Sequence, residues 1–583
     1  MPPILCGDPG DCVQSIEAAP INQDLAADSL VPPAATAKIS ATGLFIDGLT
    51  GNDQNDCRSH AKRCRSLTRI NELNAPAGTD INLLAGTTLN CQAWKPRFSG
   101  ESADNRVRFG AYHIVDGEPV QGRGLEGLPR LTYDGCDRSV AIDLNDGPDW
   151  IHIDEVQVDG MGGAFVSGAV PPQNLDHWIE SMGAEGILVT DSRFDRARGY
   201  NCFDLGSGSS FVFDNVRADL CGSAEGLSPK STSVQDIGDM VRSKYNTSVA
   251  ILNSTWTRAG HNIANIEGSF FLSNSTFSND WRSVFGGVRG NRIMVIRSNR
   301  SSGVMQLMEL GPYGDPVDTN SAPYMKNLSS NNILRWNHMK SDVDSPFAGI
   351  RLACENSFTN ALNNRIYQNH IENTSNIANL RTSHSECLDT SRVDGNVLKN
   401  NRLGPLASSG SLIRFQLTKN ASTEEPFANN TLVGNCIEEE NPVIEERANG
   451  SNGISLAEAE SRFGRNFSDN QSGGRCQTAD LGVDLARTVG SGTGSTIAVS
   501  DSGYFTGPIE IAGIQVYEGD RLSIEGNSVN VVSVDRSAST IRIDRSIDWS
   551  RDTAVNHDCD VVPDNSGVPD GCGVPGDPST QPL

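Results

Sequence analysis

Four side chains able to move or hold a proton, Lys230, Tyr245, Arg258 and His261, lie close together in the chain. They fall in its most cationic stretch. Between Ser228 and Arg300 there are nine basic and four acidic residues, a net +5 within a protein whose formal charge is −25. A local positive groove on an acidic protein suits a polyanionic ligand, whereas the overall charge of −25 argues against nucleic acid as a general partner, since phosphate binding needs a basic surface. One chemistry open to such residue types on a polyanionic glycan is elimination at a uronic acid. It requires neutralisation of the C6 carboxylate, a base for the C5 proton and a proton donor for the leaving oxygen. Arg, Asn or Ca²⁺ can neutralise the carboxylate. A Lys whose pKa is lowered by neighbouring cations, or a His or Tyr, can serve as the base.

Lys230, His261, Tyr245 and Arg258 are therefore candidate catalytic residues, and Glu225, Arg242, Lys244, Arg282 and Arg289 candidate substrate-binding residues. Each has a structural alternative: Lys230 as a solvated loop lysine, His261 bonding a turn carbonyl, Tyr245 packing its loop, Arg258 paired with Glu267. Three other functions stay open. A glycoside hydrolase needs two carboxylates at a set separation, and Asp191, Asp195, Asp204, Asp214 and Asp219 cluster in sequence. A non-catalytic glycan-binding adhesin or tailspike-like protein needs neither, and an epimerase would share the proton-abstraction step.

The element that must position these residues is a repeat. Leu252-Asn253-Ser254-Thr255-Trp256 returns as Ser273-Asn274-Ser275-Thr276-Phe277, 21 residues on. Each copy is a short apolar strand, an Asn-containing turn and a second strand led by an aromatic, the mark of a coiled β-solenoid. The same signature recurs at Asp191-Ser192-Arg193-Phe194, Trp336-Asn337-His338-Met339, Gln368-Asn369-His370-Ile371, Asn400-Asn401-Arg402-Leu403 and Asn429-Asn430-Thr431-Leu432. Asn suits the corner because it tolerates the left-handed backbone conformation, and stacked corner residues can bond along the axis. Ten coils over residues 148–440 predict a rod of about 45–50 Å at the inter-strand spacing. Long insertions between coils, such as 160–184 and 222–247, would build a groove on one face.

The rest of the chain fits an all-β protein with closed ends. Apolar content of 37% with 58 glycines suits turn-rich β structure and argues against a helical bundle. Residues 1–42 read as an N-terminal extension and linker, and 43–478 as the solenoid. Its N-terminal cap is a strand (Leu44–Ile46), an amphipathic helix (Leu67–Leu73) and a further strand (Ile81–Leu84). Residues 479–556 alternate apolar and polar with frequent turns, predicting a small antiparallel β-barrel or sandwich. The tail, 557–583, is Asp-rich and closed by cysteines. Asp558, Asp560, Asp564 and Asp570 offer hard oxygen ligands for Ca²⁺, against the simpler reading of a disulfide-closed polar tail. Fourteen cysteines without paired CxxC spacings read as disulfides, with Cys6/Cys12, Cys57/Cys64, Cys202/Cys221, Cys354/Cys387, Cys436/Cys476 and Cys559/Cys572 as near neighbours, Cys91/Cys136 left over, and the connectivity open. That implies a secreted protein whose signal peptide is absent from this chain. No run of 18 apolar residues predicts a membrane span. A monomer with no organic cofactor is expected.

Residues 43–90 resemble the start of bacterial right-handed parallel β-helix proteins, which implies that fold. Glu225-Gly226-Leu227-Ser228-Pro229-Lys230-Ser231 resembles the E-x-[IL]-S-x-K-S segment of the alginate lyase/chondroitinase B family, where the lysine is the catalytic base. The resemblance implies that role for Lys230 and an acidic polysaccharide as partner. The family's Arg-His-Gly one coil later is here Arg258-Ala259-Gly260-His261-Asn262. Polygalacturonase-like motifs are represented by Gly260-His261-Asn262 and Arg365-Ile366-Tyr367, without the aspartate motifs upstream. The tail resembles thrombospondin type 3 calcium repeats.

Overall fold

The computed structural model describes Ile39 and residues 43–558, apart from Asn74, Asp134, Asp137, His261, Glu267 and the segments 161–174, 198–200, 223–238, 244–246, 280–282, 289–293, 298–299, 304–307, 311–327, 354–359, 382–391, 407–410, 417–429, 440–442, 447–452 and 473–484. The chain is a right-handed parallel β-helix with an N-terminal cap helix and a small antiparallel β module at its C-terminal end. Its start follows the predicted order: strand Leu44–Ile46, helix Leu67–Glu72 and strand Ile81–Leu84. Ser66 caps the helix by accepting from the Arg69 amide, and Leu67 and Ile70 are buried against the first coil. Leu73 is already extended, so the helix stops one residue before the predicted end.

One sheet runs the length of the rod through fourteen parallel strands, beginning at Leu44–Ile46 and ending at Phe467–Ser468. Ten of them fall within residues 148–440, the number the repeat requires; three precede and one follows. At the inter-strand spacing those ten span about 45–50 Å, and all fourteen described strands about 60 Å. The register confirms the 21-residue coil: Leu252 lies opposite Ser273 and Trp256 opposite Phe277.

The corners work as the residue types suggest. Asn253, Asn274 and Asn400 have φ of 48°, 49° and 53°, in the left-handed region that Asn tolerates. Beside the later corners, buried asparagines form two ladders. In one, the amides of Asn337, Asn369, Asn401 and Asn435 each donate to the carbonyl oxygen of the next rung, ending at Asn470, over 2.9–3.1 Å. The other runs from Asn332 through Asn364 and Asn396 to Asn430.

The second large sheet bends within most coils, as in Arg193–Ala197 followed by Asn201–Leu205, or Thr255–Ala259 followed by Asn262–Asn265. Bends fall on Arg196, Leu220 and Arg258, all with positive φ. Beyond the bend, Ile142, Ile179, Phe203, Val241 and Ala264 stack in register and are fully buried. Disulfides join Cys57–Cys64, Cys91–Cys136 and Cys202–Cys221, and Cys436 is also disulfide-bonded.

Two features at the C-terminal end matter for the site. A helix over Leu456–Phe463, absent from the sequence reading, packs Leu456, Ala459 and Phe463 against the end of the core. The module that follows has a six-stranded antiparallel sheet and a two-stranded one. It packs on the outer face of the first sheet, where Val212, Ala250, Phe271, Ile333 and Tyr367 join its apolar core. Arg335 on that face and Asp520 of the module form a fully buried ion pair. No helix among the described residues is long and apolar enough to cross a membrane.

Candidate functional site

The module covers part of the outer face of the first sheet, and the outer face of the second sheet is a surface it leaves uncovered among the described residues. Its outward positions form columns, because parallel strands in register stack like on like at about 4.8 Å. Beyond the bend one column reads Asp143, Glu180, Asp204, Arg242 and Asn265 in successive coils. All five are half-buried. Asp143 is engaged by Lys95 at 3.2 Å. Before the bend a second column places Asp159, Asp195 and Asp219 side by side.

The second column is held by arginines. Asp159 receives Arg130 at 3.2 Å and Arg196 at 2.6 Å, Asp195 receives Arg193 at 2.6 Å, and Asp219 receives Arg258. Burial raises the Asp195 carboxyl above its ordinary range, opposed by Arg193 and helped by Asp159. Of the other aspartates in the hydrolase reading, Asp191 sits at a corner bonded to Asn215, and Asp214 accepts from Asn253 at 2.8 Å on the first sheet. Asp204 alone of the five stands in the column beyond the bend.

The predicted site residues divide as follows. Arg258 lies at a bend, one residue before the end of strand Thr255–Ala259, and its described partner is Asp219, one coil earlier; Glu267, the partner the sequence offered, lies outside the described residues. Arg242 stands in the outward column between Asp204 and Asn265. Lys230, Tyr245, His261, Glu225, Lys244, Arg282 and Arg289 lie outside the described residues. The strands flanking three of them are adjacent: Asp239–Ser243, which follows Lys230 and precedes Tyr245, pairs with Asn262–Asn265, which follows His261. In the tail, Asp558 pairs with Arg521 at 3.1 Å, and Asp560, Asp564 and Asp570 lie outside the described residues.

Further along the same face is a cluster the sequence reading did not single out. His338 and His370 occupy one outward position in adjacent coils, with Lys340 and Glu372 two residues on. The imidazole rings stack with centroids 4.8 Å apart. His338 Nε2 lies 2.8 Å from one Glu372 oxygen, His370 Nε2 3.8 Å from the other, and Lys340 Nζ 3.7 Å from the first. Burial and the neighbouring His338 bring the His370 pKa down to about 4, against the pull of Glu372. The signal was present in the repeat itself: Asn-His-Met and Asn-His-Ile, 32 residues apart, are two copies of one coil position.

No family model matches the chain, and no curated protein does. Among solved structures the chain is similar to a GH136 lacto-N-biosidase from Eubacterium ramulus, at 9% identity and a TM-score of 0.34 over 64% of this chain and 68% of that one. It is similar to the tailspike protein of E. coli bacteriophage HK620 in complex with pentasaccharide, at 11% identity and a TM-score of 0.38 over 82% and 87%. A PL6 family polysaccharide lyase from Pseudopedobacter saltans follows, at 12% identity and a TM-score of 0.35 over 71% and 95%. These are likenesses of fold.

Proposed function

We propose that the protein is a secreted enzyme that degrades an acidic polysaccharide, uronate-bearing or sulfated, by β-elimination in a groove over the second sheet. The observation that carries this reading is the pairing of strand Asp239–Ser243 with strand Asn262–Asn265. That pairing sets Arg242 beside Asn265 on the outer face, and the chain leads from these two strands into Lys230, Tyr245 and His261. Arg242 and Asn265 would neutralise and orient the C6 carboxylate. Lys230 would take the C5 proton; the electron pair forms the C4–C5 double bond and expels the C4 oxygen, which Tyr245 or His261 protonates. Arg258, tied to Asp219, would brace the bend beside them. The disulfides support an oxidising, extracytoplasmic compartment.

A hydrolase is the second reading, favoured by the column Asp143, Glu180 and Asp204. Successive members stand one strand apart and alternate members two, about 5 and 10 Å, which brackets the separations of retaining and inverting glycosidases. A panel of uronate and sulfated glycans separates the readings. Ultraviolet absorbance from unsaturated uronate ends is the expected product; reducing ends without absorbance would mean hydrolysis, and tight binding with neither would mean an adhesin. Lys230→Ala is expected to lower kcat/KM by about 100-fold or more; full activity in that variant sinks the assignment of the base.

A further inference from the structure

The His338 cluster is separate from the residues of the proposed elimination and has its own chemistry. Its three ligating groups come from two strands in fixed register. His338 and His370 are opposite one another, and Glu372 is two residues beyond His370, so all three project from one face. One ligand atom from each lies within 4.8 Å of the other two. Three donors bound to one zinc at about 2.1 Å would be about 3.4 Å apart, so the described arrangement is slightly wider than a filled site. Closing it takes a rotation about one histidine Cβ–Cγ bond, because stacked rings have parallel lone pairs.

We propose that His338, His370 and Glu372 form a binding site for one divalent transition-metal ion, held by two imidazole nitrogens and a carboxylate. The donor set decides the class of ion. Two imidazoles and a single carboxylate suit zinc and its neighbours, whereas calcium takes six or more oxygens. Binding displaces the proton that His338 shares with Glu372 and removes the 3.4 Å contact between His370 Nε2 and the Gly404 carbonyl. It also displaces Lys340, the cation now beside Glu372. That side chain is 45% exposed, and its flexible stem can carry the ammonium into solvent. A metal held by three protein ligands keeps a coordination position for water or a glycan hydroxyl.

The test uses the full chain, stripped with a chelator and titrated with Zn²⁺ by calorimetry and with Co²⁺ by visible absorption. One equivalent of metal is expected, with the intense bands of a low-symmetry cobalt site. His370→Ala and Glu372→Gln are each expected to weaken binding by about 10-fold or more, the scale seen even for supporting residues around a metal. Lys340→Met is expected to tighten it, since the competing ammonium is gone. Thermal unfolding of each variant identifies any loss due to misfolding, and Lys340→Met tests the same point without removing a ligand. No binding by the wild-type protein at 100-fold excess metal, or unchanged affinity in both Glu372→Gln and Lys340→Met, would overturn the proposal and leave adventitious binding to other histidines.

Discussion

His152 illustrates how far single residues are governed by coil register. It projects from the first sheet with Nε2 2.8 Å from the Thr190 hydroxyl, which donates to Asp154 at 2.7 Å. Burial lowers its pKa to about 4, with Arg108 and Arg106 acting in the same direction against Asp154. Native His152 thus stays neutral at pH values where the unfolded chain takes up a proton. Its contribution to stability is complete above about pH 6.5 and is lost as pH falls towards 4. At about 1.4 kcal/mol per pH unit, the loss is about 3 kcal/mol. Urea unfolding between pH 7 and 4 is expected to show this slope, and His152→Gln to reduce it. The remaining slope should come in part from His370, whose pKa is lowered in the same way. The same register explains why the Asp219 partner of Arg258 was not legible. Its partner Asp219 is one coil away in space but 39 residues back in sequence, because the insertion between the two strands lengthens that coil.

Elements built from the repeat were legible because their cause is periodic. The 21-residue spacing, the corner asparagines and the cap helix each depend on residues close in sequence, and each stands where the sequence put it. The ladders show what the corners contribute. Asn369 donates to the carbonyls of Leu334 and Tyr367 and to Asn401, and it accepts from Asn337. Asn369→Ala therefore orphans several buried groups at once. It is expected to cost about 2–3 kcal/mol, read as a lowered urea midpoint, whereas Asn253→Gly at a left-handed corner is expected to stay within about 0.5 kcal/mol of wild type. The helix over Leu456–Phe463 was not legible for the opposite reason. Its capping signal, Ser455 bonding the Glu458 amide, is present, but Ala459 is its one fully buried residue. Leu456, Ala459 and Phe463 follow helical spacing, but so short an element is not stable alone, and tertiary packing on the last coil decides it.

At the scale of the whole molecule, the module covers part of the first sheet's outer face, and nothing local announces it. The contact rests on Arg335 and Asp520, 185 residues apart and both fully buried. Arg335 also donates to the hydroxyls of Tyr367 and Tyr517, and the Tyr367 hydroxyl donates to the Tyr504 carbonyl. Burial raises the Asp520 carboxyl, but Arg335 and His557 outweigh it and hold the group below its ordinary range. A buried pair of this kind is costly to break and cheap to replace. Arg335→Met leaves an uncompensated carboxylate against the first sheet and is expected to cost about 3–5 kcal/mol, whereas Arg335→Met with Asp520→Leu is expected to recover most of it. Chemical denaturation followed by tryptophan fluorescence measures both. Because the pair lies on the first sheet and the proposed groove on the second, the double variant is also expected to keep glycan turnover within about twofold of wild type, as distant independent sites do. A large loss of turnover in a stably folded double variant would mean that the module's seat and the groove are coupled through the β-helix core.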